Sequence, residues 1–213
     1  MENKKEILLE GAQGVFLDND WGTYPYVTAS TVVSGGITAG AGIPPQKIDR
    51  VIGVAKAYVT RVGEGPMPTE LLNTDGERLA TLGHEFGTTT GRKRRCGWFD
   101  GELLHFAARL CGFTEIILTK LDVLDAFETV KICTGYTLNG KAVGYLDGDS
   151  QFLVKVHPVY KELKGWKMST QGISKFADLP PEAKTFIKAI EQVTGIALSY
   201  ISNGPKRDEI IRR

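Results

Sequence analysis

Thr114-Glu-Ile-Ile-Leu-Thr-Lys-Leu-Asp122 is a short apolar run that ends in a polar turn. A continuous apolar run of this length suits a strand covered on both faces, as in a parallel sheet. The expected strand covers 114–121, with Asp122 just beyond its carboxyl end. Working outward, Arg-Val-Ile-Gly-Val-Ala-Lys-Ala-Tyr-Val-Thr-Arg at 50–61 reads as another interior strand, closed by Gly63-Glu64-Gly65-Pro66. The apolar run at 196–201 reads as a last one, ending in Ser202-Asn203-Gly204-Pro205. Glu-Ile-Leu-Leu-Glu at 6–10, stopped by Gly11-Ala12-Gln13-Gly14, reads as a first. Helical patterns lie between them. Residues 76–86 form a weak one. Residues 100–110 place Leu103, Leu104, Phe106, Ala107 and Leu110 at helical spacing behind Asp100 as a natural cap. A third helix opens at Pro180-Pro181-Glu182 and ends near Gly195. Such alternation predicts an α/β fold with a mostly parallel central sheet and flanking helices, in a single domain over 1–213. Residues 130–145 alternate around Asn139-Gly140, which predicts a small antiparallel hairpin. The segment 147–178 is expected to wrap the surface irregularly.

The chain has 213 residues and a formal net charge of +1. That balance argues against a general binder of nucleic acid or of a membrane surface, and no stretch is long and apolar enough to span a bilayer. Cys96, Cys111 and Cys133 show no metal-ligand spacing, and Cys111 is expected to pack as a small hydrophobe in a reducing cytosol. The amino-terminal residues run directly into a strand pattern, without the features of a signal peptide.

Four places carry chemistry. Gly87-Thr-Thr-Thr-Gly-Arg-Lys-Arg-Arg-Cys-Gly-Trp98 sets threonines between glycines and follows them with four cations. Backbone amides, hydroxyls and guanidinium forks in one loop can cradle a carboxylate or phosphate; a solvated basic loop or a short nucleic-acid patch is the other reading. Gln13 can hydrogen-bond a base edge or simply face water from a turn. Thr28, Ser30 and Thr31 are hydroxyl donors to a ligand or the cap of a following helix. Thr119-Lys120-Leu121-Asp122 resembles the Asn/Thr-Lys-x-Asp element of GTP-binding proteins. One carboxylate accepts from both the N1-H and the exocyclic amine of guanine, a pair that adenine lacks. The lysine stem can lie along the base while its ammonium stays wet. The competing reading of Asp122 is a cap of the next turn. His105 is expected to be a packed or surface imidazole.

Taken together, Gly11 to Gly14, Gly22-Thr-Tyr-Pro-Tyr-Val-Thr28, Gly65-Pro-Met-Pro-Thr-Glu70, Glu85-Phe86-Gly87, Thr89-Thr90-Gly91-Arg92, Gly97-Trp98 and Thr119 to Asp122 resemble the adenylosuccinate synthetase family over nearly the whole chain. The resemblance implies a P-loop-NTPase-like sheet and a reaction in which GTP phosphorylates the 6-oxygen of IMP and L-aspartate displaces the phosphate. It implies IMP contacts from Gln13, Thr28 and Arg92, with Gln13 supporting the reacting base edge. It implies an aspartate loop of Thr88, Thr89, Thr90, Gly91, Arg92, Lys93 and Arg94. Arg94, Lys120, Leu121, Asp122, Ser202, Asn203 and Gly204 would hold GTP, Asn203 standing where the family commonly has threonine.

The family's phosphate loop, with its aspartate base, and its catalytic histidine have no counterpart here. His84, His105 and His157 lie outside that histidine's context, and residues 87–92 lack the spacing of a Walker-type loop. The expectation is therefore the carboxyl-terminal half of such an enzyme, inactive alone, with the acid/base pair and the Mg2+ ligands in the other half. A homodimer or association with that half in the cytoplasm is expected, without nucleic-acid or membrane partners.

Overall fold

The computed structural model describes residues 5–87, 91–145 and 150–213. At its centre, β5 (Glu115–Thr119) pairs in parallel with β1 (Ile52–Lys56) on one side and β9 (Leu198–Ser202) on the other. Strand β10 (Ile210–Arg212) closes antiparallel on β9, so the order is β1-β5-β9-β10. Ile116 and Leu118 of β5 and Leu198 and Ile201 of β9 are buried, as the apolar runs require. The run 50–61 is divided between two sheets. It leaves β1 at Lys56, where the Ala57 N–H donates to Thr119 O at 2.8 Å. It resumes as β2 (Val59–Arg61), antiparallel to β3 (Arg95–Gly97). A continuous apolar run carries no mark of where a chain changes sheet.

A second sheet is built on β6 (Thr129–Leu138), which pairs in parallel with β4 (Phe99–Asp100) and antiparallel with β7 (Lys141–Val143) and β8 (His157–Lys164). The β6–β7 hairpin turns at Asn139 and Gly140, with φ of 51° and 76°, the left-handed pair a two-residue turn needs. Strand β8 and the helix α4 (Ser150–Lys155) correct the expected irregular course of 147–178. The strand was hidden because both of its faces mix residue types: His157, Val159, Lys161 and Leu163 alternate with Pro158, Tyr160, Glu162 and Lys164, so no apolar/polar alternation marks it. A register shift between Cys133 and Gly135 places a bulge in its partner β6. Residues 6–10 form no strand: Ile7 and Leu8 are 59% and 85% exposed, with no neighbouring strand among the described residues. An apolar run becomes a strand only where an edge is present to pair it.

Helix α1 (Ser34–Ala41) starts at Val33 without a side-chain cap, so Thr28, Ser30 and Thr31 do not cap it. Helix α2 (Thr74–Leu82) starts earlier than its pattern suggested because Asn73 accepts from the N–H groups of Asp75 and Gly76. Helix α3 (Gly101–Cys111) begins at Asp100, as expected, and ends at left-handed Gly112. Helix α5 (Pro181–Thr194) starts on proline and ends at left-handed Gly195. Its Phe186, Ile187 and Ile190 join Ile116 and Leu118 of the first sheet to Val130 and Ile132 of the second in one core. His105 is packed, with Nδ1 3.1 Å from Thr194 O. All three cysteines are free and buried, and burial pushes the Cys96 thiol up to about 11.

Asp100 is buried, with its carboxylate accepting from Leu103 N–H at 3.1 Å and Tyr136 hydroxyl at 2.8 Å. Burial outweighs these bonds and pushes its carboxyl up to about 7, from an ordinary 3.8. The folded state then holds the proton more tightly than the unfolded chain, so stability falls as pH rises from about 4 to about 7. Denaturant unfolding is expected to show greater stability at pH 5 than at pH 8. Asp100→Asn is expected to flatten that trend, and an unchanged slope would contradict this role.

Candidate functional site

The carboxyl ends of three adjacent parallel strands lie side by side, the edge where open α/β sheets place ligands. Lys56 ends β1, Thr119-Lys120-Leu121-Asp122 leaves β5, and Ser202-Asn203-Gly204 leaves β9. The backbone turns sharply at Lys120, whose φ is 60°. Leu121 is fully buried beneath the turn, while Lys120 and Asp122 stay partly open to solvent.

Glu85, just after α2, underlies this edge. Its side chain is fully buried. Lys56 Nζ donates to its two oxygens at 2.8 and 2.9 Å, the Tyr58 hydroxyl at 2.5 Å and Arg94 at 2.7 Å, while Lys120 Nζ lies 3.4 Å away. Burial alone would raise the Glu85 carboxyl, but hydrogen bonds from Lys56, Tyr58 and Arg94 bring it down to about 2. Burial pulls the Lys56 ammonium below its ordinary value even beside Glu85, and pushes the Tyr58 hydroxyl up. Three cations around one carboxylate leave an excess of positive charge at the strand ends, a setting suited to anions.

The basic run divides by role. Arg95 pairs with Glu70 and donates to Gly65 O at 2.8 Å, so it braces the β2–β3 ribbon. Arg94 is held by Glu85, whereas Gly91, Arg92 and Lys93 are exposed. Backbone bonds from Gly87 N–H to Arg92 O (2.8 Å) and from Arg94 N–H to Glu85 O (2.8 Å) anchor both ends of this loop. Thr88, Thr89 and Thr90 lie outside the described residues.

On the β9 side, a clamp holds the segment 166–173 against the turn at 119–122. Asp125 accepts from Trp166 Nε1 (2.6 Å), Thr170 N–H (2.7 Å) and Thr170 hydroxyl (2.9 Å). Asn203 is fully buried and its amide donates to Thr170 O and to Ile173 O, the latter at 2.9 Å. Gln171, between them, donates to Asp122 Oδ2 at 3.4 Å. The Asn203 side chain therefore serves the fold, and its backbone N–H donates to Glu209 O at 3.1 Å. Asn203→Ala should lower unfolding free energy by about 1–3 kcal/mol by stranding two carbonyls, a loss readable in urea titration; no loss would contradict the clamp.

Gln13 and Thr28 share the loop 13–33. Ser30 hydroxyl donates to Gln13 Oε1 at 3.3 Å, and Thr28 N–H donates to Leu17 O at 2.8 Å. The organiser is Asp18, which the sequence reading passed over. It is fully buried and accepts from the N–H groups of Asp20, Trp21, Val32 and Val33 at 2.6–3.0 Å. Burial alone would raise its carboxyl, but those four bonds hold it below the ordinary value. Arg61 ties this loop to the β2–β3 ribbon through Thr23 and Tyr26, each at 2.9 Å.

Comparison with known proteins shows the same arrangement elsewhere. The family model described as adenylosuccinate synthetase matches residues 1–211. The chain belongs to the adenylosuccinate synthetase family. It is 52% identical to the adenylosuccinate synthetase of Geobacter sulfurreducens over 207 residues, covering 97% of this chain and 48% of that protein. It is 53% identical to that of Caldanaerobacter subterraneus subsp. tengcongensis over the same length and shares. The fully ligated adenylosuccinate synthetase of Plasmodium falciparum superposes with a TM-score of 0.97 at 41% identity, over 100% of this chain and 51% of that one. The chain thus spans about half the length of the relatives it matches. Adenylosuccinate synthetases are ligases of purine biosynthesis, and the α/β class read from the strand and helix pattern is the class of this fold.

Of the residues the family resemblance singled out, the fold brings Lys120, Leu121, Asp122, Ser202, Asn203 and Gly204 to one sheet edge and Arg94 to within reach of Lys120 through Glu85. Gln13 and Thr28 lie on a separate loop connected through Arg61. Glu85 was visible only as part of a motif. Its role depends on Lys56, Tyr58 and Lys120, which no local pattern connects to it.

Proposed function

We propose that this chain carries the guanine-reading and aspartate-binding part of an adenylosuccinate synthetase, acting in the conversion of IMP, L-aspartate and GTP to adenylosuccinate, GDP and phosphate. Asp122 accepts from guanine N1-H and the 2-amino group, the Lys120 stem lies along the base, and Ser202, the Asn203 backbone and Gly204 line its other side. Thr89 and Arg92 hold the carboxylates of aspartate, within a loop of Thr88, Thr90, Gly91 and Lys93. Arg94 reaches toward the nucleotide, and Gln13, Thr28 and Arg92 face IMP. The observation that carries this reading is the buried Glu85, bonded to Arg94 of the basic loop and 3.4 Å from Lys120 of the purine turn. It sets the two substrate-facing segments side by side.

Mg2+ accompanies GTP in this chemistry. Among the described residues no three His, Cys, Asp or Glu side chains group together so as to hold a metal ion, and the Mg2+ ligands are assigned to the other half of the family's length. By the family resemblance, the reaction further draws on a phosphate loop, a base and a histidine beyond the half that these residues match. General acid–base groups are typically worth ~10²–10⁴-fold in rate, so the isolated chain is expected to bind without turnover. Cytoplasmic location and a homodimer, or association with the remainder of the family's length, belong to the same reading. Equilibrium dialysis with GTP and ATP tests it. Binding of GTP in clear preference to ATP supports it, and equal binding of the two contradicts it.

A further inference from the structure

The two oxygens of Glu85 gather partners from three parts of the chain: Lys56 and Tyr58, Arg94, and Lys120. Oε1 accepts from Tyr58 at 2.5 Å and Lys56 at 2.8 Å and lies 3.4 Å from Lys120; Oε2 accepts from Lys56 at 2.9 Å and Arg94 at 2.7 Å. Lys120 and Arg94 therefore share the charge of one buried carboxylate. Lys120 is tied a second time to the same segment, through Gly83 O. The backbone of Glu85 also accepts from Arg94 N–H at 2.8 Å, next to a bridge between Phe86 and Lys93.

We propose that Glu85 is a positioning residue that couples the purine-facing turn at 119–122 to the basic loop at 91–94, so that a guanine nucleotide at the first steadies the second. The proposal rests on the guanine-reading role given to Asp122. In a buried site the hydrogen bonds of a shared acceptor respond to one another. When a base settles beside Asp122, the Lys120 stem lies along it and the ammonium is fixed in place. The Glu85 carboxylate then has a defined position from which to hold Arg94. Lys56, at the end of β1, donates to both oxygens of the same carboxylate and helps fix its position.

Amide hydrogen exchange of the full chain, followed residue by residue by NMR with and without GDP, tests the coupling. The reporters are Val123 and Asp125 on the turn, whose N–H groups donate to Lys120 O and Asp122 O, and Gly87, Gly91 and Arg94 on the loop. In the unaltered chain, GDP is expected to slow both sets, the loop set by roughly 5-fold or more. In Glu85→Gln, which keeps the size of the side chain, only the turn set is expected to slow. Loop protection by GDP in Glu85→Gln equal to that in the unaltered chain overturns the coupling. So does slowing of the turn set alone in the unaltered chain. Absence of any slowing at Val123 and Asp125 in the unaltered chain overturns the guanine-reading role and the coupling with it.

Discussion

Asp122→Asn is expected to weaken GDP binding by about 10–100-fold while leaving ADP binding almost unchanged, so that the preference for guanine disappears. A hydrogen bond to a charged group is worth about 1.5–3 kcal/mol, and guanine presents two donors to this carboxylate. An asparagine keeps one acceptor and turns an NH2 group toward the second donor, which exchanges attraction for repulsion. The geometry favours a large effect. Asp122 sits on a backbone turned by left-handed Lys120 and anchored by fully buried Leu121. The donor the fold supplies to it is Gln171, at a long 3.4 Å. Calorimetric titration with GDP, IDP and ADP checks this, because IDP keeps N1-H and lacks the 2-amino group. IDP is expected to fall between the other two for the unaltered chain and to equal or exceed GDP for the variant. Unchanged discrimination in Asp122→Asn would refute the assignment.

Glu85→Leu is expected to be the most destabilising single change in the site, by about 3–5 kcal/mol, because it leaves Lys56, Arg94 and Lys120 crowded with no counter-charge. That is a large share of the stability of a typical domain. The pH dependence follows from the same contacts. The Glu85 carboxyl lies at about 2 when folded against an ordinary 4.5. Its folded value is depressed, so its contribution is present above about pH 4.5 and is lost as pH falls toward 2. The shift corresponds to about 3 kcal/mol. The gap between the unaltered chain and Glu85→Leu, read by urea unfolding, is expected to be full at pH 7 and to shrink steadily below pH 4.5. Asp100 acts with the opposite sign over a higher window, so the comparison is best made between variants at each pH. A gap that stayed constant down to pH 3 would contradict a charged Glu85 at the hub.

What could be read from residues alone divides along physical lines. Strands β5 and β9, the caps Asp100 and Gly195, the proline at the start of α5 and the Asn139-Gly140 turn are all set by local chemistry, and each stands as read. Residues 6–10 look like β5 by composition, yet Ile7 and Leu8 lie open, with no strand paired to them among the described residues. Strand β8 went unrecognised because polar and apolar side chains are mixed on both of its faces, which leaves no alternation to read. In the candidate site, Lys120 and Asp122 were legible because four consecutive residues carry the chemistry. Glu85, Asp18 and Asp125 were not, since a buried carboxylate is defined by partners far away in the chain. The run of four cations conceals a division of labour that only packing reveals, with Arg95 bracing Glu70 and Arg94 bound to Glu85.

A crystal structure of the chain with GDP addresses the central claim most directly. The predicted result is guanine at the carboxyl ends of β5 and β9, with N1 and the 2-amino nitrogen about 2.7–3.2 Å from the Asp122 carboxylate and the Lys120 stem along the ring. GDP bound elsewhere, or bound there with its base turned away from Asp122, would contradict it.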